Sequence, residues 1–211
     1  MHIGDKISFG CYDWRVLDIK NNMALIITEH IIEYHSYHDE YKETTWAECS
    51  LRKYLNGEFY NKFNSMDKAR IIPVINKNPD NKWYNSKGGA DTEDRVFILS
   101  IEEAVCQYFG DSSSKLLNKG TNQRYWFERK DENNNKRIAM FNGEIDWWWL
   151  RSPGRINIKA AYVHGDGNIG IQGNNILKGN ISDGMCRGGV RPVLWMKLLS
   201  WIKFRGEFNY E

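Results

Sequence analysis

Trp147-Trp148-Trp149-Leu150-Arg151-Ser152-Pro153-Gly154 is the stretch that decides how this 211-residue chain must fold. Each tryptophan brings roughly 150–250 Å² of surface that is costly to leave in water. Side chains alternate along a strand, so Trp147 and Trp149 share one face and Trp148 takes the other. Both faces of this strand therefore need cover. A second segment, Ala160-Ala161-Tyr162-Val163, and a closing one, Gly188-Gly189-Val190-Arg191-Pro192-Val193-Leu194-Trp195, supply partner strands. Arg151 and Arg191 lie in such strands among apolar neighbours, where an unpaired guanidinium is prohibitive. Each is expected to meet a carboxylate, with Asp94 and Asp146 in view, or loop carbonyls.

Working outward, Trp14–Ile19 and Met23–Ile27 read as strands joined at Lys20-Asn21-Asn22. The Tyr/His-rich residues 34–38 read as loop. Leu51, Leu55, Phe59 and Phe63 are four apart and predict a helix, with a second over 65–71 stopped by Pro73. Residues 76–94, rich in Asn, Asp and Gly, read as a long loop, and Val96–Leu99 as a buried strand. Ser100-Ile101-Glu102-Glu103 is a capping box that starts another helix, with Cys106 on its buried side. Short strands follow at 137–141, 147–151, 160–164 and 190–198, with Gly165-Asp166-Gly167-Asn168 turning into Ile169-Gly170-Ile171. Helices early and short strands late suit an α+β fold. Residues 1–198 are expected to form one domain and 199–211 an appended, aromatic tail suited to self-association.

The bulk numbers narrow the function classes. With 29 basic against 27 acidic residues the net charge is +2, and no basic block marks a nucleic-acid binder. No run of about 18 apolar residues implies a membrane span, and the amino terminus lacks the apolar core of a signal peptide. A cytoplasmic location is the expectation, or an extracellular one if a leader has been removed. Cys11, Cys49, Cys106 and Cys186 are widely spaced and read as reduced thiols.

The ordered set Phe9-Gly10…Trp14-Arg15-Val16-Leu17, Thr45-Trp46…Leu51-Arg52-Lys53-Tyr54-Leu55-Asn56, Asp91-Thr92…Asp94-Arg95-Val96-Phe97-Ile98-Leu99-Ser100, Trp149-Leu150-Arg151-Ser152-Pro153-Gly154 and Gly189-Val190-Arg191-Pro192 resembles the DUF6273 family. That family is bacterial, phage-associated and of unknown function; the resemblance covers about residues 8–198. The closing Gly-Val-Arg-Pro is also similar to the Gly-Phe-Arg ending of formylglycine-generating-enzyme-like domains. Those share a fold with the variable proteins of diversity-generating retroelements. The resemblance thus implies a C-type-lectin-like fold: two or three helices flanking small twisted antiparallel sheets, with long loops and neighbouring termini. It supplies no activity.

Binding rather than catalysis is the leading expectation. Trp148, Arg155, Tyr162, His164, Asp166, Asn168, Gln172, Asn174 and Asn175 crowd one strand–turn–strand region, and aromatic, Arg and Asn side chains make good recognition surfaces. A protein or glycan ligand fits residues 147–187; the competing reading is a polar hairpin with asparagines in its turns. Asn76, Asp80, Asp91 and Asp94 are oxygen donors on one long stretch, as a calcium site uses. His30, Glu33, His35 and His38 are the zinc alternative, without a second ligand pair. An enzyme would use Cys186 as a thiol, beside Arg187, or Glu144 and Asp146 as an acid/base pair for glycan hydrolysis. The remaining alternative is a structural or interaction protein.

Overall fold

The computed structural model describes residues 1–109, 133–177 and 188–198; the expectations that rest on Cys186, Arg187 and the 199–211 tail lie outside the described residues. Three strands open the chain: β1 (Lys6–Phe9), β2 (Tyr12–Lys20) and β3 (Met23–Thr28). The expected hairpin joins the last two. Asn21 and Asn22 both take positive φ, 49° and 59°, the left-handed pair that a two-residue hairpin needs and asparagine tolerates. β4 (Glu33–His35) then lies within the segment read as loop, because it pairs with Gly188–Val190 from the far end of the chain.

The helical expectation over 51–63 resolves into α1 (Ser50–Tyr54) running on as a π-helical turn, Leu55–Phe59. α2 (Ser65–Arg70) follows, with the Asn64 side chain accepting from the Asp67 amide at 2.9 Å. β5 (Ile71–Ile72) and β6 (Val74–Asn76) flank Pro73. The long loop is shorter than the sequence implies: β6 pairs with β7 (Thr92–Asp94), leaving 77–91 as loop. Val96–Leu99 is buried but forms only one bridge, Phe97 to Val193. Side chains claim two of its other carbonyls: Asn56 donates to the Val96 oxygen at 2.8 Å and Arg151 to that of Ile98 at 2.9 Å, while the Arg151 amide takes that of Leu99 at 2.9 Å.

The capping box closes reciprocally. The Ser100 amide donates to Glu103 Oε2 at 2.8 Å and the Glu103 amide to Ser100 Oγ at 3.2 Å. The helix it starts is π-helical over Glu103–Gln107, and Cys106 is half-buried on it. A one-turn helix, Asn134–Arg137, precedes β8 (Ala139–Phe141), β9 (Glu144–Asp146), β10 (Trp148–Pro153), β11 (Lys159–Val163), β12 (Ile169–Asn175), β13 (Gly188–Val190) and β14 (Val193–Lys197). Among the described residues the fold is thus α+β, with few helices and many short strands.

Two five-stranded sheets organise these elements. The first runs β1-β2-β3-β14-β5, so the closing strand of the described chain, β14, lies between β3 and β5. The second runs β12-β11-β10-β13-β4, antiparallel except where β10 meets β13 at Trp148 and Gly189. The tryptophan run behaves as its alternation requires. Trp147 and Trp149 meet edge to face at 4.7 Å on one side, while Trp148 lies on the other, donating to the Arg137 carbonyl at 3.0 Å. All three are buried. Tyr162, opposite Trp149 on β11, lies flat over Gly170 of β12, where a Cβ would come within 2.1 Å of the ring.

Arg151, at the centre of β10 and 4% exposed, is a buried cation that hydrogen bonds hold on several sides. Its partner is neither Asp94 nor Asp146. Both guanidinium nitrogens Nη1 and Nη2 donate to the Glu103 carboxylate, the second at 2.7 Å, and further bonds reach the Ile98 carbonyl and Asn78 Oδ1. Asp94 is already committed to Arg52, and Asp146 to Tyr34. Glu103 therefore caps a helix and neutralises a buried cation at once. Glu103→Ala should cost about 3–5 kcal/mol of unfolding free energy, because it strands the guanidinium in the core. Glu102→Ala, an exposed neighbour, should stay within about 0.5 kcal/mol of wild type. Urea titration of both variants checks this, and a Glu103→Ala protein as stable as wild type would remove Arg151 from its central role.

Candidate functional site

The expected surface divides once it is folded. Trp148, Tyr162 and Asn168 are interior residues, 0%, 7% and 5% exposed, so they leave the set of ligand-contacting side chains. Packing explains each: Trp148 stacks under Arg191, Tyr162 covers Gly170, and Asn168 accepts from Asn134 Nδ2 at 2.7 Å. His164 and Asp166 mark the turn between β11 and β12. They bond to each other at 3.0 Å, and Asp166 also accepts from the Asn168 amide and side chain. That end of the hairpin is an internally closed turn network.

The other end is different. Arg155 is exposed, and Gln172, Asn174 and Asn175 are half-buried along β12, the edge strand of its sheet. The β11–β12 register slips between the pairs Ala160–Asn174 and Tyr162–Gly170, so 171–173 bulge. The bulged backbone is tied down from both sides: the Arg155 amide donates to the Gln172 carbonyl at 2.7 Å, and Asn81 Nδ2 donates to those of Pro153 and Ile171 at 2.8 and 3.0 Å. Within this anchored frame, Gln172 Oε1 and Asn174 Nδ2 are shielded from water and have no hydrogen-bond partner. Such orphaned groups are rare in folded proteins and call for an explanation.

Asn81 also brings in residues that pattern reading missed. It organises the 77–91 loop by accepting from the amides of Trp83 and Tyr84 at 3.0 and 3.3 Å. The half-buried Tyr84 sits close enough to Arg155 for the guanidinium charge to oppose the rise that burial imposes on the phenol pKa. The site is therefore loop 77–91 against the end of β12. The sequence signal was an adjacent Trp-Tyr pair inside an otherwise polar loop.

The metal and acid/base expectations do not assemble. Asp80 accepts from Lys87 at 2.7 Å and from the Gly88 amide, and these bonds pull its pKa down. Asp91 pairs with Lys77, whose hydrogen bond lowers it likewise. Asp94 is buried and accepts from Arg52, Trp46, Asn76 and Thr92 at 2.6–3.0 Å, so its lone pairs are spent on the protein. Asn76 is thus a donor to Asp94 rather than a calcium ligand. Among the described residues no three His, Cys, Asp or Glu side chains converge as a metal site would need. His35 stacks on Tyr54, His30 is exposed, and His38 is buried elsewhere. Asp146 accepts from Tyr34 Oη at 2.5 Å and from the Trp147 amide, while Glu144 faces solvent. Burial pushes the Cys49 thiol up to about 12, the wrong direction for a reactive thiolate.

A family model for a domain of unknown function (DUF6273) matches residues 21–198. No curated protein and no solved structure matches the chain. No helix among the described residues is long and apolar enough to cross a membrane.

His38 supplies a pH test of the packing near this sheet. Its Nδ1 accepts from the Ser50 amide at 3.3 Å, which requires a neutral ring, and burial, with Lys42 nearby, lowers its pKa from 6.5. A base depressed in the folded state is neutral in both states well above 6.5, and folding loses stability as pH falls through that value. Wild type should therefore lose more Tm between pH 7.5 and 5.5 than His38→Gln does; parallel slopes would show that His38 carries no such penalty.

Proposed function

The chain belongs to the DUF6273 family, and from that premise we propose that it is a non-catalytic binding module of C-type-lectin-like fold. Its ligand, a protein or a glycan, docks where loop 77–91 meets the end of β12. The observation that carries this reading is the pair of orphaned groups, Gln172 Oε1 and Asn174 Nδ2. The protein has already met the cost of taking an acceptor and a donor out of water. Once the half-buried Gln172 and Asn174 side chains turn outward on this edge strand, a ligand that bonds both gains hydrogen bonds that the folded protein does not make by itself.

Glycan hydroxyls and peptide amides both offer a donor and an acceptor at close spacing. The exposed Arg155 guanidinium and the Trp83-Tyr84 pair add the planar groups that stack on sugar rings or peptide bonds. The lectin-like assignment draws on the adjacency of β3 and β14, on the second small sheet, and on the long loop beside it.

An array of glycans and cell-wall fragments, with interferometry against fractionated bacterial protein, tests the reading. The triple variant Arg155→Ala/Gln172→Ala/Asn174→Ala should bind the ligand about tenfold or more weakly than wild type, with an unchanged melting profile. Equal retention of every ligand by the two proteins removes this surface from consideration.

A further inference from the structure

Two cations stand at the β12 edge without a counter-charge among the described residues. β10 passes into β11 through residues 154–158, a turn closed where the Gly154 amide donates to the Lys159 carbonyl at 2.8 Å and the Lys159 amide to that of Ile156 at 2.9 Å. Arg155 lies near its start and Lys159 directly after it. Asn157 donates to the Lys87 carbonyl at 2.7 Å, and the Thr44 amide donates to the Asn157 carbonyl at 3.0 Å, so the turn is held from two sides. It also rests on the β12 bulge. A Cβ at Gly154 would come within 2.6 Å of the Gln172 carbonyl oxygen and 2.9 Å of Lys159 Cβ, a close approach that glycine permits.

Arg155 is exposed. Lys159 is half-buried, a side chain whose stem lies along the surface while its charged head stays in water. Among the described residues no carboxylate pairs with either cation. Asp80, the acid on the facing loop, is held by Lys87 at 2.7 Å and by the Gly88 amide at 3.0 Å. Glu43, the residue before Thr44, is exposed and pairs with neither. Two positive charges therefore stand uncompensated beside the Gln172 bulge, in a chain whose net charge is only +2.

The same edge distinguishes a glycan from a peptide. A peptide that extends a sheet pairs with the main chain of its edge strand. Here the carbonyls of Ile171 and Gln172 are already taken, by Asn81 Nδ2 at 3.0 Å and by the Arg155 amide at 2.7 Å. The edge presents side chains instead: the amides of Gln172 and Asn174, the Arg155 guanidinium and the half-buried Tyr84 ring. Amides match sugar hydroxyls, which donate and accept at once, and a guanidinium matches a carboxylate.

We propose, on the reading of the β12 edge as a binding surface, that its ligand is an acidic glycan whose uronate carboxylates are bound by Arg155 and Lys159. Arg155 offers a planar fork of donors to one carboxylate, and Lys159 a point charge to the same or the next sugar. Contacts this open to solvent are screened by salt.

A glycan array read with the full chain is the test. It carries polygalacturonate, alginate and heparosan, each beside its carboxyl-reduced form, with poly-L-glutamate as an acidic peptide. At least one uronate polymer should be retained about tenfold or more strongly than its reduced form, a preference that shrinks as salt rises past about 0.1 M. Arg155→Gln/Lys159→Gln should remove that preference with an unchanged melting profile, while Arg155→Lys alone keeps part of it. Reduced forms held as strongly as the acids would overturn the acidic assignment and leave the edge a surface for neutral glycans. Poly-L-glutamate held as strongly as the uronates would overturn it in favour of an acidic protein. Retention of no uronate polymer, or a preference that survives in the double Gln variant, would overturn it as well. In either of those cases, another ligand lost by the Arg155→Ala/Gln172→Ala/Asn174→Ala variant would still uphold the surface itself.

Discussion

A guanidinium in the middle of a buried strand is the constraint around which the second sheet is assembled. Arg151 cannot occupy β10 unless its donors are met. The groups that meet them come from loop 77–78, from Ile98, and from Glu103 at the start of a helix. The backbone of the same residue adds two more ties. Its amide donates to the Leu99 carbonyl at 2.9 Å, and its carbonyl accepts from Tyr37 Oη at 2.9 Å. Segments some fifty to over a hundred positions away in sequence thereby converge on one residue.

Two other buried arginines repeat the principle with different partners. Arg137 donates to the Gly167 carbonyl at 2.9 Å and to Asn134 Oδ1 at 2.7 Å, which locks the β11–β12 turn against the short helix. Arg191 rests on the Thr28 and Glu29 carbonyls beneath Trp148. Trp148 thus lies between two cation-bearing elements, bonding to the Arg137 carbonyl through its indole N–H and to Arg191 through its ring face. An interior built this way orders its loops by polar contacts as well as by apolar burial. It also leaves a few donors and acceptors without partners, Gln172 Oε1 and Asn174 Nδ2 among them.

At the end of β12 a shielded, unpartnered amide pair lies beside an exposed arginine and a half-buried tyrosine. This edge uses none of the carboxylates that a metal-dependent lectin employs. Asp80, Asp91 and Asp94 serve three separate contacts with Lys87, Lys77 and Arg52.

Local pattern was legible in the sequence wherever neighbours along the chain decide the outcome. The Asn21-Asn22 hairpin, the Ser100–Glu103 box, the short helix before Pro73 and the alternation of Trp147, Trp148 and Trp149 rest on local sequence alone, and so does the need of Arg151 and Arg191 for partners. Which partners they find was decided by the tertiary structure. Glu103 rather than Asp94 reaches Arg151 because Asp94 is consumed by Arg52, Trp46 and Asn76. The ligand surface followed the same division. Residue types marked about 147–187 as a recognition region, but only the register slip of β12 and the Tyr162–Gly170 contact separate the buried Trp148, Tyr162 and Asn168 from the exposed Arg155 and the half-buried Gln172 and Asn174. A sequence specifies which groups cannot stand alone, since that follows from their own chemistry. Which distant group answers each of them depends on competition among all the buried polar atoms at once, and that competition is settled only when the chain has packed.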